Sequence, residues 1–246
     1  MESDSIKTLK QYINESDNIV FFGGAGVSTE SNIPDFRSSD GLFSINLNRH
    51  FTPEQLVSHT FYTRYPDDFF KFYKDNMLYP NAKPNKAHLA LAELECRGKL
   101  KAVITQNIDG LHQKAGSKVV YELHGTVNSN TCERCGAKYN LDEFLALPGL
   151  VPHCSSCGGD VKPDVVLYEE SLNEKTIVNS INAISKADLL IVGGTSLVVY
   201  PAAGFIDYFK GKHLVLINKS KTSMDSKADL VINDSIGKVL SEVVGI

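Results

Sequence analysis

Five short runs rich in β-branched and apolar residues recur along the chain: "NIVFF" at 18–22, "KAVIT" at 101–105, "DLLIVG" at 188–193, "HLVLIN" at 213–218 and "ADLVIN" at 228–233. Each has the length of a strand and no polar alternation, so each predicts a strand buried on both faces. Between several of them lie helical patterns: 85–97 with Ala87, Leu91 and Leu94 on one face, 174–186 with Ile177, Ile181 and Ile184, and 235–244 with Val239 and Val243. This alternation predicts an α/β fold, a parallel sheet with helices on both faces. A chain of 246 residues accommodates one large domain of this kind, or one carrying a smaller insert.

In such sheets ligands bind beyond the carboxyl ends of the strands. There the sequence places "GGAGVS" at 23–28, "QNIDGLH" at 106–112, "GTSLVVYP" at 194–201 and Asn218, four segments more polar or glycine-rich than plain connections need. "GGAGVSTE" follows a strand and is expected to open a helix, whose free N–H groups and dipole favour a diphosphate. Gly24 and Gly26 form a G-x-G, but Thr29 stands where a dinucleotide fingerprint has its third glycine, and no Gly-Lys-Ser/Thr follows. A tight turn is the plain alternative. "NIPDFR" then presents an acid, an aromatic and a cation behind the stiff Pro34. Gln106, Asn107 and Asp109 can hydrogen-bond ribose hydroxyls and an amide, or simply cap turns. His124, in "ELHG", is a candidate general base or a structural histidine.

Two segments break the alternation. Residues 38–82, with "FYTRYPDDFFKFY", are expected to be a helical insertion. Residues 130–160 hold "CERC" at 132–135 and "CSSC" at 154–157, two C-x-x-C hooks 18 residues apart, which is the spacing of a four-thiolate zinc site. Cys132, Cys135, Cys154 and Cys157 would close a tetrahedron with no open position, so one structural zinc ion is expected, ahead of redox dithiols or disulfides. His153 is a competing ligand beside Cys154, and Cys96 is expected to be a small buried side chain on its helix.

Net charge is −4, from 25 basic and 29 acidic residues. Residues 130–160 carry only Arg134 and Lys138 as basic residues, so a nucleic-acid zinc ribbon is disfavoured and no direct nucleic-acid binding is expected. The N-terminus lacks a signal-peptide pattern, and the apolar stretch 189–206 is interrupted by Gly193, Gly194 and Pro201. No membrane span, a cytoplasmic location and a monomer are the expectations.

Taken in order, "GAGVS", "IPDFR", "TQNID", "LHG", the two C-x-x-C pairs, "GTSL" and "IN" resemble the sirtuins, NAD-dependent protein lysine deacylases, from about residue 18 to the C-terminus. The resemblance implies a Rossmann-like NAD-binding domain made of 1–37, 83–129 and 161–246. It implies a small domain of the helical insertion 38–82 and the zinc module 130–160, with acyl-lysine entering the cleft between them. Gly24, Ala25, Gly26, Thr29, Phe36, Arg37, Gln106, Gly194, Thr195, Ser196 and Asn218 then match NAD-contacting positions, with Asp234 near the adenine. Asn107, Ile108 and Asp109 match positions around the nicotinamide and its ribose, Asn107 and Asp109 with catalytic roles. His124 matches the general base, and Val166, Leu167, Tyr168 and Glu169 match a strand that pairs with the acyl peptide. Phe36 would cover the reacting ribose. The implied reaction consumes NAD, releases nicotinamide and transfers the acyl group to ADP-ribose; mono-ADP-ribosyl transfer to protein is the alternative, and hydride transfer a more distant one.

Three departures from the family pattern stand out. Gly23 replaces a threonine, which is expected to loosen the first loop. Glu169 replaces a glycine in "VVLYEE", which bears on peptide geometry and charge preference. The branch that removes succinyl and malonyl groups has a tyrosine and, three residues later, an arginine. Here the pair is Tyr73 and Asn76, so neutral acyl groups are expected over acidic ones.

Overall fold

The computed structural model describes residues 3–35 and 51–246. The expected strands are present as β1 (Ile19–Gly23), β2 (Leu100–Thr105), β7 (Leu189–Gly193), β8 (His213–Ile217) and β9 (Leu230–Ile232). With a short edge strand β3 (Val120–Glu122) they form one parallel sheet in the order β3-β2-β1-β7-β8-β9. The chain order reverses between β1 and β7, whose ends lie in register at Gly23 and Gly193. That reversal opens a crevice at the carboxyl edge of the sheet.

The two faces explain the unbroken apolar runs. Phe21, Val103, Leu189, Ile191 and Val215 point to one side, against α1 (Asp4–Glu15), α5 (Lys86–Cys96) and α9 (Ile236–Val244). Phe22, Ile104, Leu190, Val192 and Leu216 point to the other, against α8 (Glu174–Lys186) and the 3-10 helix Ala202–Tyr208. Alternate residues meet helices on both sides, so the strand interiors are apolar, and polar residues are confined to positions near strand ends such as Lys101, Thr105 and His213. Removal of each such side chain from water stabilises by about 1.5–3 kcal/mol. Among these helices, α5 is capped by Asn85, whose side chain accepts from Ala87 N. Cys96 departs from expectation: it closes α5 on the solvent side and is exposed.

Beyond the sheet edge sits a smaller body. β5 (Lys138–Tyr139), β4 (Gly125–Cys132) and β6 (Val161–Val165) form an antiparallel sheet in that order. β6 pairs with both ends of β4 across an irregularity between Gly125 and Asn130, so residues 125–129 and 161–165, which the resemblance places in the NAD-binding domain, belong to strands of this smaller sheet. Within the insertion, α2 (Pro53–Leu56), α3 (His59–Arg64) and α4 (Pro66–Asn76) are helical as expected, and its residues before 51 lie outside the described ones. Phe69, Phe70 and Tyr73 of α4 share one apolar cluster with Phe144 of α7 (Leu141–Ala146) and with Val161. The rings of Tyr73 and Phe144 meet edge to face at 6.3 Å. Insertion and cysteine module are therefore held together by one aromatic core. Among the described residues no helix is long and apolar enough to cross a membrane.

Candidate active site

The cleft between the two bodies has a volume of about 1490 Å³. Ala25, Gly26, Thr29, Gln106, Asn107, Ile108, Asp109, His124, Val166, Leu167, Tyr168, Glu169, Gly194, Thr195, Ser196, Asn218 and Asp234 all line it. Residues up to 209 positions apart in the sequence, Ala25 and Asp234, thus face one space. Gly24 lies just beneath it, where a Cβ would come within 2.8 Å of Thr195 Cβ. Phe36 and Arg37, and with them the expected cover over the ribose, lie outside the described residues.

The first loop is built from close backbone approach. Gly26 N donates to Gly194 O at 2.8 Å, and a Cβ on Gly26 would sit 2.8 Å from Gly194 Cα. Gly194 has φ +61°, and its own Cβ would run into Val27 N. Two glycines therefore leave a floor of bare backbone at the point where the strand order reverses. The helix expected after this loop is instead two 3-10 turns, Ala25–Val27 and Thr29–Ser31, ended by Asn32 in the left-handed region. A helix dipole contributes nothing here, and any diphosphate contact comes from loop N–H groups. Nor is the loop loosened at Gly23, because the Phe21 ring fills the place of the missing side chain, 2.6 Å from where a Cβ would lie.

At the middle of the cleft Ser28 links two expected residues. Its Oγ accepts from Asn107 Nδ2 at 3.0 Å and donates to Asp109 Oδ2 at 2.6 Å. The other Asp109 oxygen accepts from Leu111 N at 2.9 Å and so caps α6 (Leu111–Ala115). The turn-capping reading of Asp109 is thus realised on one oxygen, while the other is held by Ser28. Ser28 stood inside "GAGVS" without being singled out, since only the tertiary fold brings it to a loop about 80 residues away. Beyond the reversal point of the sheet, Asn218 Oδ1 accepts from Thr195 N at 3.0 Å. Asp234 is tied locally, to Ser235 N at 2.7 Å and Lys238 Nζ at 2.6 Å.

His124 is half-buried, and its Nδ1 lies 3.0 Å from Gln106 O. A carbonyl only accepts, so Nδ1 carries the proton and Nε2 keeps its lone pair. Burial lowers the imidazole pKa below its ordinary value, with the Gln106 bond opposing in part. The ring is neutral at pH 7 and ready to take a proton.

The residues present fit a dinucleotide. Gln106 Nε2 and Asn218 Nδ2 are buried donors with no protein partner, on side chains that line the cleft beside the glycine floor. Such donors call for an acceptor from a ligand or water. The cysteines fit zinc equally well. Their four Sγ atoms lie within 4.8 Å of one another, with Cys132–Cys157 at 3.5 Å and Cys135–Cys154 at 3.6 Å. A tetrahedron with bonds of about 2.3 Å has edges of about 3.8 Å, whereas a disulfide would need about 2.05 Å. Each hook is a tight turn closed by Gly136 N to Cys132 O and by Gly158 N to Cys154 O. His153 is excluded as ligand, since its Nδ1 pairs with Asp160 at 2.8 Å and it stands outside the four-thiolate group.

A doubly wound dinucleotide-type sheet, joined through a catalytic-type histidine cleft to a four-thiolate module, defines a class of NAD-using α/β proteins. Within that class the profile of the Sir2 family matches residues 24–201, and the chain belongs to that family. It is 66% identical over 242 residues to an NAD-dependent protein deacetylase of Clostridium perfringens, covering 98% of this chain and 99% of the relative. A Staphylococcus aureus protein of the same description is 44% identical over 241 residues, 98% of each chain. Among solved structures, a Sir2 with a p53 peptide and NAD+ superposes with a TM-score of 0.87 at 39% identity, covering 100% of this chain and 98% of that one. A Sir2 bound to an acetylated peptide gives 0.86 at 37% identity, with the same coverage.

Proposed function

We propose that this protein is an NAD-dependent protein lysine deacetylase whose reaction takes place in the cleft around His124. The observation that carries this reading is the placement of a neutral imidazole, with Nε2 unprotonated, in one cavity with the bare glycine floor and the segment Val166 to Glu169. NAD, when bound, supplies a glycosidic bond whose cleavage releases nicotinamide and leaves ADP-ribose as acceptor of the acyl group.

The chain's own residues have distinct tasks. Gly24, Gly26 and Gly194 let backbone approach the diphosphate, and Gln106, Thr195, Ser196 and Asn218 hold the adenosine and ribose groups. Ser28 fixes Asn107 and Asp109 relative to each other, so the amide and carboxylate present one rigid polar edge to the nicotinamide carboxamide. His124 takes a proton at Nε2 and its Nδ1–H stays on Gln106 O, which fixes the ring's orientation throughout. Val166 to Glu169 receive the peptide. The zinc ion, held by the four cysteines, closes the small body and takes no part in the chemistry.

Acyl choice follows from Tyr73 and Asn76. Tyr73 is fully buried, and Asn76, which lines the cleft, donates its amide to Phe72 O at 3.0 Å. Asn76 puts a neutral amide rather than a cation at this position, so acetyl and other neutral groups are preferred over succinyl and malonyl. We also infer a monomer in the cytoplasm, without direct nucleic-acid binding.

Incubation with NAD and one peptide carrying acetyl- or succinyl-lysine, read by mass spectrometry, tests both levels. Expected are free nicotinamide and acetyl-ADP-ribose in equal amounts, with acetyl removed faster. ADP-ribose on protein without deacylated peptide would overturn the reaction, and faster succinyl removal would overturn the acyl preference.

A further inference from the structure

In the segment Val166 to Glu169 the backbone donors of Val166, Leu167 and Tyr168 are committed to three different partners. Val166 N donates to His124 O at 2.9 Å, and Tyr168 N to Val57 O at 3.0 Å. Between them, Leu167 N donates at 2.9 Å to the carboxylate of Glu170, a residue the sequence reading did not select. Glu170 also closes the turn from its own backbone, N to Leu167 O at 3.0 Å.

That carboxylate has two further partners, on two other elements. His59 Nδ1 of α3 lies 2.9 Å from Oε1, and Lys162 Nζ of β6 lies 3.3 Å from the carboxylate. Lys162 is mostly buried, also donates to Val165 O at 3.1 Å, and stands 5.9 Å from the centre of the Tyr62 ring. Tyr62, 5% exposed, in turn donates its hydroxyl at 2.9 Å to Glu133, which sits inside the first cysteine hook. Burial alone would push the Glu170 carboxyl up, but Leu167 N–H, His59 and Lys162 outweigh it and hold it below the usual carboxylate range. One half-buried anion thus joins the cleft segment, the insertion helix and the small sheet, and a tyrosine extends the brace to the metal module.

We propose that Glu170 is a positioning residue for peptide capture, its carboxylate fixing Leu167 and with it the segment that lines the cleft beside His124. The proposal rests on the reading that this segment receives the acyl peptide. Among the described residues the hydrogen bonds of the brace reach none of Gly24, Gly26, Gly194 and Asn218, so its loss acts on peptide and not on NAD. A residue that served the fold alone would impair both.

The test uses the full-length, zinc-loaded protein with acetyl-lysine peptide and NAD. In Glu170→Gln the peptide KM is expected to rise about tenfold, the scale of one hydrogen bond to a charged acceptor, with kcat and the NAD KM within about twofold of wild type. Lys162→Met, which leaves the Leu167 bond in place, is expected to raise the peptide KM by a smaller factor in the same direction and carries the test if Glu170→Gln fails to fold. An unchanged peptide KM in the folded variants, or equal rises in both KM values, overturns the proposal alone. A wild-type protein that does not turn over acetyl-peptide overturns the deacetylase reading and the proposal with it.

Discussion

At the scale of single residues, Glu169 shows how one substitution is absorbed. It has φ +75°, a left-handed conformation that suits the glycine expected there and strains other residues. Its carboxylate offsets this by accepting from Thr60 N at 2.8 Å and Thr60 Oγ1 at 2.7 Å near the start of α3. Glu169→Ala keeps the strain and loses both bonds, whereas Glu169→Gly loses the bonds but relieves the strain. The alanine variant is therefore expected to melt at a lower temperature than the glycine variant; the reverse order in thermal unfolding would refute this account. Gly194 is less forgiving. In Gly194→Ala a Cβ at φ +61° meets backbone at Val27 N, which only a movement of the first loop can relieve. A stability loss of at least about 2 kcal/mol is expected, with loss of the melting-temperature rise that NAD gives the wild type. For His124, the pKa is lowered by burial, so the active neutral form persists below the ordinary histidine value. His124→Ala is expected to abolish deacetylation and retain NAD binding by calorimetry, and in the wild type the acid limb of kcat/KM should lie below the ordinary histidine value of about 6.5.

At the scale of elements, the cysteine module combines a short sheet with a four-thiolate group. β5 is two residues long, and the buried residues of β4 and β6 share one cluster with the insertion. A structural zinc site contributes folding free energy directly. Cys132→Ala is expected to release the ion and lower the melting temperature, measured by metal analysis and calorimetry; zinc retained at one equivalent with unchanged melting would refute the four-thiolate site. The first loop is the element where pattern and fold differ most. "GGAGVSTE" carries the glycines of a helix-opening phosphate loop, but Ser28 bonds across to Asp109 and Asn32 turns left-handed, so the chain stops in 3-10 turns. Local sequence reads the backbone freedom correctly and cannot see the partner that redirects it.

At the scale of the whole molecule, two buried histidines set the acid limit. His88 and His112 lie ring to ring at 4.7 Å, and burial lowers their pKa to about 4 and about 3, with Asp109 opposing for His88 and His88 itself adding to the fall for His112. Both are neutral when folded and protonate near 6.5 when unfolded, so the unfolded chain binds more protons between those values. Stability is then complete above about pH 6.5 and falls as pH drops, by on the order of 2 kcal/mol per histidine at pH 5. Urea melts at pH 7.5 and 5 should show this loss, and His112→Leu should reduce it; equal midpoints at both pH values would contradict it.

Much of this protein was legible in its residues because the signals are local. Apolar runs bounded by polar turns define the strands, and the helices at 85–97, 174–186 and 235–244 follow from 3.6-residue periodicity. C-x-x-C pairs bring their ligands close whatever the rest of the chain does. Gln106, Asn107, Asp109, Gly194 and Asn218 were legible for a related reason, since each follows a strand end, whereas Asp234 and Val166 to Glu169 came only through the family resemblance. What tertiary structure alone decided depends on contacts between distant segments: the transfer of residues 125–129 and 161–165 to the small sheet, the pairing of His153 with Asp160, the Ser28 bridge, the exposure of Cys96, and the meeting of Glu170 with His59 and Lys162. Periodicity records whether a side chain is buried, but a hydrogen bond also needs the position of its partner, and that is set only when the sheet, the insertion and the metal module close on one another.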